Sequence, residues 1–481
     1  MILRPTPMLL LVTCLLFFVG LGNHELQGST EPRVAGIAME MHLLDDWVTP
    51  RLNGQPFLEK PPLSLWLDAG ALRTFGLTPW SVRLASALAG LLSVMLLYAM
   101  LRAWGRPAWL AAGAGLLLAT SASFWGNVRQ VGEDALLSLG VSLALLAFFH
   151  LYRPGSLGSR QRVLGWLAFA SGIAIATTSK GVLGLALPGV VIFAWLLVAS
   201  LRQRQLRPAQ WLLPAAVTLL GLVPLLIWLV LLHRAGGMAA VSDVLWTNSV
   251  GRFSGSFSDA GHYEPFYYYL GKLPEAFLPW NLLVYLGLWH FRKQLGARPE
   301  LLFFTLWLVA QFTLLTLASS KRMVYLLSLT PAAAVIGAEF AAVYLAQPRP
   351  RLRALALGLA GAVACAYLAI AVWVLPREDR QQTLLPLTAR IAQLQAEGRS
   401  VVLFDPSERL AGAGVFYSRS LLKALADDSG LHTFLSASPD NVAVMEREQT
   451  PAEPLHVLDK IVVGGRTYYF VTYLVNGLVT K

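Results

Sequence analysis

The side chains that could do chemistry come in short clusters set between long apolar runs. Glu31 and Arg33 stand in "STEPRVAGIAMEM", Glu59 and Lys60 in "FLEKPP", Arg129, Glu133 and Asp134 in "NVRQVGEDALL", and Lys180 in "TTSKGVLGLALPG". Arg252, His262 and Glu264 follow in "NSVGRFSGSFSDAGHYEPFYYYL", then Lys321 and Arg322 in "ASSKRMVYLLSLTP". Cations of this kind hold phosphate, and carboxylates act as a general base or bind a metal ion. Taken singly, each has a plainer account. A Lys or Arg at a helix end snorkels to the interface. A neighbouring Glu–Lys pair is usually a solvated pair of little energetic worth, and "PFYYYL" would serve as an interfacial aromatic belt. What decides between the two accounts is whether the clusters lie at one depth.

The elements that must position them are membrane spans. The chain has 481 residues, of which 56% are hydrophobic and 14% charged, and its mean hydropathy is +0.57. A hydrocarbon core of ~30 Å needs about 20 helical residues. Such runs fall near 8–22, 82–101, 108–124, 135–151, 164–178, 182–201, 211–232, 276–291, 300–317, 323–345 and 354–375. Every second loop is basic: "RAWGR", "RPGSLGSRQR", "RQRQLR", "RKQLGAR" and "RPRLR", none with an Asp or Glu. The positive-inside rule places these in the cytoplasm. They account for much of the net charge of +11, so the basic balance is topological and implies no nucleic-acid partner. The N-terminal apolar run reads as a retained first helix rather than a signal peptide, since no A-x-A site follows it.

With the basic loops inside, the remaining loops face outward: 23–81, 125–134, 179–181, 233–275 and 318–322. Every cluster above then falls at that one boundary. Lys180 sits in a turn of a few residues, in the plane of the interface. Asp134 opens a helix, where a carboxylate meets the positive end of the dipole. The ensemble suits an anionic lipid headgroup undergoing chemistry, and the Gly/Ser/Asp-rich segment 251–261 suits a lid over it. After residue 376 the composition changes, giving a soluble outer domain of α/β or α+β type at 376–481 beyond a membrane domain at 1–375. "RQQTLLPLTARIAQLQAEG" reads there as a helix, and "RSVVLFDP" and "TYYFVTYLV" as strands. Cys14 and Cys365 both lie within spans and imply neither a disulfide framework nor a metal cluster.

The order of Glu-Pro-Arg, "DWVTPRLNGQPFLEKPPL", an outer Asp before a span, "SKG", "NSVGRF…H…PFYYY…LPW" and "SKRMVYLLSLTPA" resembles the GT-C glycosyltransferases. It is most similar to the aminoarabinose lipid A transferases (ArnT), over about residues 25–335. The resemblance implies an all-α polytopic fold of about 11–13 spans with a small outer domain. It implies transfer of a sugar, most narrowly 4-amino-4-deoxy-L-arabinose, from undecaprenyl phosphate to lipid A, with inversion. The protein would be a monomer in the bacterial inner membrane, its N-terminus cytoplasmic and its active site periplasmic. Carried over position by position, the catalytic residues are Glu31, Asp134 and Lys60. The donor phosphate falls to Arg33, Lys60, Lys180, Arg252, Lys321 and Tyr325, and a divalent metal ion, the one implied cofactor, to Glu59 and His262. One position departs. The family's leading carboxylate is replaced here by Thr30, which cannot act as a base near neutral pH. Either Glu31 or Asp134 carries that role, or the acceptor needs no base, as an anionic lipid A phosphate would not, or the enzyme is altered in substrate or strength.

Other classes stay open at this point. A different hexose or pentose could pass to a surface glycan or a protein, as in O-mannosyltransferases. A flippase or transporter would place charges near the membrane midplane, whereas these spans carry few. A sensor that kept the fold without catalysis is the third.

Overall fold

In lipid, every backbone N–H and C=O must find a partner within the chain, so apolar runs of this length become helices. The computed structural model describes residues 5–155, 157–256, 263–347 and 349–473, the Arg252 side chain excepted, and puts helix on each expected span. Among the described residues, seven helices are long and apolar enough to cross a membrane. They are Pro79–Ala103, Asp134–Tyr152, Ser159–Gln203, Val223–Gly251, Pro299–Leu317, Met323–Leu345 and Pro350–Gln382. Pro5–Phe18 and Ala108–Ala119 are apolar but shorter. The chain is a multi-pass membrane protein.

Two details depart from the expected spans. The runs at 164–178 and 182–201 belong to one helical stretch, Ser159–Gln203, whose backbone leaves the helix at Lys180 (φ −143°) and Gly181 (φ 53°, ψ −127°). A Cβ on Gly184 would lie 2.0 Å from the Ala176 carbonyl oxygen. In a straight helix those positions would be ~12 Å apart. The limbs therefore fold against each other as a hairpin, and Gly181 supplies the left-handed residue of its turn. The run at 211–232 is two helices, Pro208–Gly221 and Val223–Ser242. Pro224 lacks the N–H that would continue the ladder and stands where a new helix tolerates it.

The chain separates into two compact units, each assembled from distant stretches. The first comprises Met1–Val19, Leu58–Ser64 and Ala85–Ile370; the second comprises Gly20–Phe57, Leu65–Leu84 and Ala371–Lys481. The first is the helical body. The second joins the C-terminal segment to much of the first outer loop, which is largely ordered into a helix at Thr30–Leu44 and a ribbon of β1 (Arg51–Leu52) and β2 (Gln55–Pro56). Asn53 and Gly54, both at positive φ, turn that ribbon, as an Asn-Gly pair does. The buried Glu40 carboxylate accepts the backbone N–H groups of both turn residues.

The remaining strands form one sheet: β3 (Ser400–Phe404), β4 (Lys423–Leu425), β5 (Asn441–Glu446), β6 (Leu455–Val463) and β7 (Arg466–Tyr473), ordered β4-β3-β5-β7-β6. β3 runs parallel to β4 and β5, and β7 antiparallel to β5 and β6. Val402, Phe404, Ala443, Met445 and Val471 bury one face under Leu431 and Leu435. The helix expected at 380–398 is Leu385–Ala396, and β3 and β7 lie where strands were expected. The helix Glu408–Ser418 packs on Thr30–Leu44, where a Cβ on Gly36 would meet Gly412 Cα at 2.6 Å. Only two bare glycines allow so close a crossing.

Candidate active site

The "FLEKPP" stretch ends in two prolines just before the helix Leu63–Phe75 begins. Proline favours extended backbone in the residue before it and lacks the N–H a helix interior needs, so the stretch stays irregular and the helix starts after it. Asn248 Nδ2, from the segment Asp243–Gly251, donates to the Leu58 carbonyl at 3.3 Å and steadies it. The Lys60 ammonium meets Glu133 Oε1 at 2.5 Å, and Lys180 Nζ meets the same oxygen at 3.2 Å. Lys180 also donates to Asp134 and lies 4.5 Å from the centre of the Tyr325 ring. The hairpin turn, the start of helix Asp134–Tyr152, the "FLEKPP" stretch and the Met323–Leu329 turn thus deliver two cations, two carboxylates and a phenol to one place.

Glu133 is 4% exposed and Asp134 18%, which separates their roles. Burial alone would push the Glu133 carboxyl up, but the Lys60 and Lys180 ammonium groups hold it well below the usual carboxylate range. It is a fixed anion at neutral pH and a poor base. Asp134 is the more accessible carboxylate and pairs with Lys180.

Lys60, Lys180 and Tyr325, but neither Glu133 nor Asp134, border a cavity of about 250 Å3. Glu59, Lys60, Lys180, Asn248, Ser249 and Tyr325 give it a polar end. Val182, Leu183, Ala186, Leu314, Leu315 and Ala318 give it an apolar wall. A cation-rich head beside an aliphatic surface matches a molecule with a phosphate head and a hydrocarbon chain.

The other expected site residues have different surroundings. Glu31 and Arg33 belong to the second unit. Glu31 receives Arg83 Nε at 2.9 Å and Nη2 at 2.9 Å. The fully buried Arg83 also donates to the carbonyls of Leu21, His24 and Glu25. Arg33 Nη1 donates to Glu408 at 2.8 Å and its guanidinium lies 5.4 Å from the Phe57 ring centre. Thr30 opens the helix Thr30–Leu44. Lys321 Nζ donates to the carbonyls of Glu264 and Ala318, and so ties the return of the large loop. Arg129 donates to the carbonyls of Leu16 and Phe17 at the end of the first helix. The Arg252 side chain and His262 lie outside the described residues. Among the described residues, no group of three His, Cys, Asp or Glu side chains could hold a metal ion.

Three participants carried no assigned role in the sequence. Glu133 was visible beside Asp134 in "GED", but only the fold shows that it faces two lysines. Arg83 looks like a snorkelling charge at the start of a span. Glu408 lies far along the chain from its partner Arg33, with no local signal.

Comparison with known proteins follows the same lines. Residues 59–228 match the family of dolichyl-phosphate-mannose-protein mannosyltransferases. The chain is 32% identical over 343 residues to the undecaprenyl phosphate-alpha-4-amino-4-deoxy-L-arabinose arabinosyl transferase of Pseudomonas aeruginosa, covering 69% of this chain and 59% of the relative. It is 29% identical to the enzyme of the same name from Aeromonas salmonicida, covering 74% and 64%. The chain thus spans about three fifths of the length of the curated relatives it matches. The crystal structure of ArnT from Cupriavidus metallidurans bound to undecaprenyl phosphate superposes with a TM-score of 0.76 over 97% of both chains at 22% identity. The Archaeoglobus fulgidus oligosaccharyltransferase gives 0.55 over 89% of this chain and 64% of its own, at 12% identity. The fold is the GT-C fold of ArnT, and the resemblance carried by the motifs is borne out.

Proposed function

We propose that the chain is a glycosyltransferase of the bacterial inner membrane. It takes a sugar, in the narrowest form 4-amino-4-deoxy-L-arabinose, from undecaprenyl phosphate and passes it to lipid A on the periplasmic side. The observation that carries this is the cavity in which Lys60, Lys180 and Tyr325 meet an aliphatic wall. The relatives' names and the ArnT crystal structure with undecaprenyl phosphate support the same donor.

In this mechanism the acceptor oxygen attacks the anomeric carbon from the face opposite the phosphate. The bond between that carbon and the phosphate oxygen breaks, with inversion, and undecaprenyl phosphate leaves. Lys60 and Lys180 stabilise the charge growing on the leaving phosphate. Glu31 and Arg33 are engaged by Arg83 and Glu408, which favours Asp134 as the carboxylate that orients or deprotonates the acceptor. A lipid A phosphate is already anionic and needs no base, so Thr30 is tolerable with that acceptor. The N-terminus would be cytoplasmic, the Lys60–Lys180 end of the body periplasmic, and the working unit a monomer.

The test is mass spectrometry of lipid A and surface glycans from cells with and without the protein. A pentosamine on lipid A phosphate that depends on the protein is the expected result. Unchanged lipid A with an altered glycan or glycoprotein would overturn the acceptor and favour a mannosyltransferase-like reaction, for which the match at 59–228 speaks.

A further inference from the structure

We propose that Glu133 is a positioning residue whose buried carboxylate gathers Lys60 and Lys180 onto one oxygen, so that the two cations meet a phosphate as a prearranged pair. This rests on the phosphate-headed ligand proposed above. Both lysines line the cavity, whereas Glu133 does not; it stands behind them, and a ligand meets the ammonium groups first. Two ammonium groups this close repel each other, and Glu133 is the acid that both touch. Asp134 reaches Lys180 only, so Glu133 is the ion-pair partner of Lys60 among the described residues.

The backbone around Lys60 makes such an anchor necessary. Lys60 stands on irregular chain before two prolines, and a lysine side chain has up to ~2 kcal/mol of rotamer entropy to lose. Lys180 is held by its hairpin turn and by Asp134, whereas Lys60, among the described residues, has the ion pair with Glu133 alone. Glu133 itself is fixed by the backbone just before the helix Asp134–Tyr152, where the dipole favours an anion. A rigid acid therefore sets the place of a flexible base.

Simple electrostatics and positioning make opposite forecasts for Glu133→Gln. Removing a negative charge beside the cavity would tighten phosphate binding if only net charge counted. If Glu133 positions the lysines, binding weakens despite the gain in positive charge. The experiment uses the full chain in phosphatidylcholine nanodiscs, with undecaprenyl phosphate as one probe and inorganic phosphate as the other. Wild type is expected to bind undecaprenyl phosphate, Glu133→Gln to bind it about tenfold more weakly or worse, and Glu133→Asp to fall between them. Glu133→Asp keeps the charge and shortens the arm, so it decides the matter if the amide variant fails to fold. Equal or tighter binding by a folded Glu133→Gln overturns the positioning role. Wild type that binds inorganic phosphate but gains nothing from the lipid chain overturns the donor reading, and Glu133 is then judged on inorganic phosphate. Binding of neither probe overturns both.

Discussion

Lys60 is where chemistry can be separated from folding at the scale of one residue. Its ammonium borders the cavity, and Glu133 keeps Lys180 as a partner when Lys60 is removed. Lys60→Ala should therefore lower transfer about a hundredfold, the usual loss for one charge-stabilising contact, while the melting temperature falls only by what its ion pair with Glu133 contributes and the protein stays folded. Wild-type transfer by that folded variant would sink the assignment. Glu31 forecasts the reverse. Glu31→Gln leaves Arg83, fully buried, without its counter-ion, at a cost of about 3 kcal/mol. Thermal melting should fall; loss of transfer without loss of stability would restore Glu31 to the chemistry. The ion pairs of Glu133 also carry a pH signature. A carboxyl held below the ordinary 4.5 contributes stability that is complete above that value and is lost as pH falls through the lowered one. The melting difference between wild type and Glu133→Gln should thus be full at neutral pH and shrink only below the ordinary glutamate range.

Among the elements, the hairpin at Lys180 and the crossing of Thr30–Leu44 with Glu408–Ser418 depend on absent side chains. The hairpin limbs leave no room at Gly184, where a Cβ would strike the Ala176 carbonyl. Gly184→Leu must push them apart and carry Lys180 away from Glu133. Undecaprenyl phosphate binding should fall with it, measured in nanodiscs, and retained affinity would show that the hairpin does not set the lysine. "SKG" read as a short turn in the sequence because a lysine and a glycine interrupt two apolar runs. The Asn53–Gly54 turn was equally legible as an Asn-Gly pair, whereas the helix at Thr30–Leu44 was hidden in a polar outer loop. Its helix formers, Ala35, Ala38, Met39 and Met41, are buried, and part of the cover comes from Glu408–Ser418, far along the chain.

The whole molecule divides differently from its composition. The polarity change near 376 falls close to Ala371, where the second unit resumes. That unit also needs 20–57 and 65–84: Arg33 is paired with Glu408, and Asn53 Nδ2 donates to the Leu422 carbonyl at 3.2 Å. Truncation after residue 398 should therefore strip the first outer loop of its partners and abolish accumulation of folded protein. Recovery of a monodisperse, ligand-binding membrane body from that truncation would show the two units to be separable.

The sequence by itself determined the apolar spans and displayed the basic loops and charge clusters set between them. Those follow from local rules: apolar length against bilayer thickness, basic loops against acidic ones, and proline or glycine where helix must stop. It also displayed Glu59, Lys60, Asp134 and Lys180 as candidates. Only the tertiary structure decided partnership. Whether Lys60 faces Glu133 or solvent, and whether Glu31 is a base or the counter-ion of Arg83, depends on residues brought together from 52 to 73 positions apart. No propensity or period encodes such a pairing; packing chooses it, because a buried charge must be neutralised by whatever the fold sets beside it.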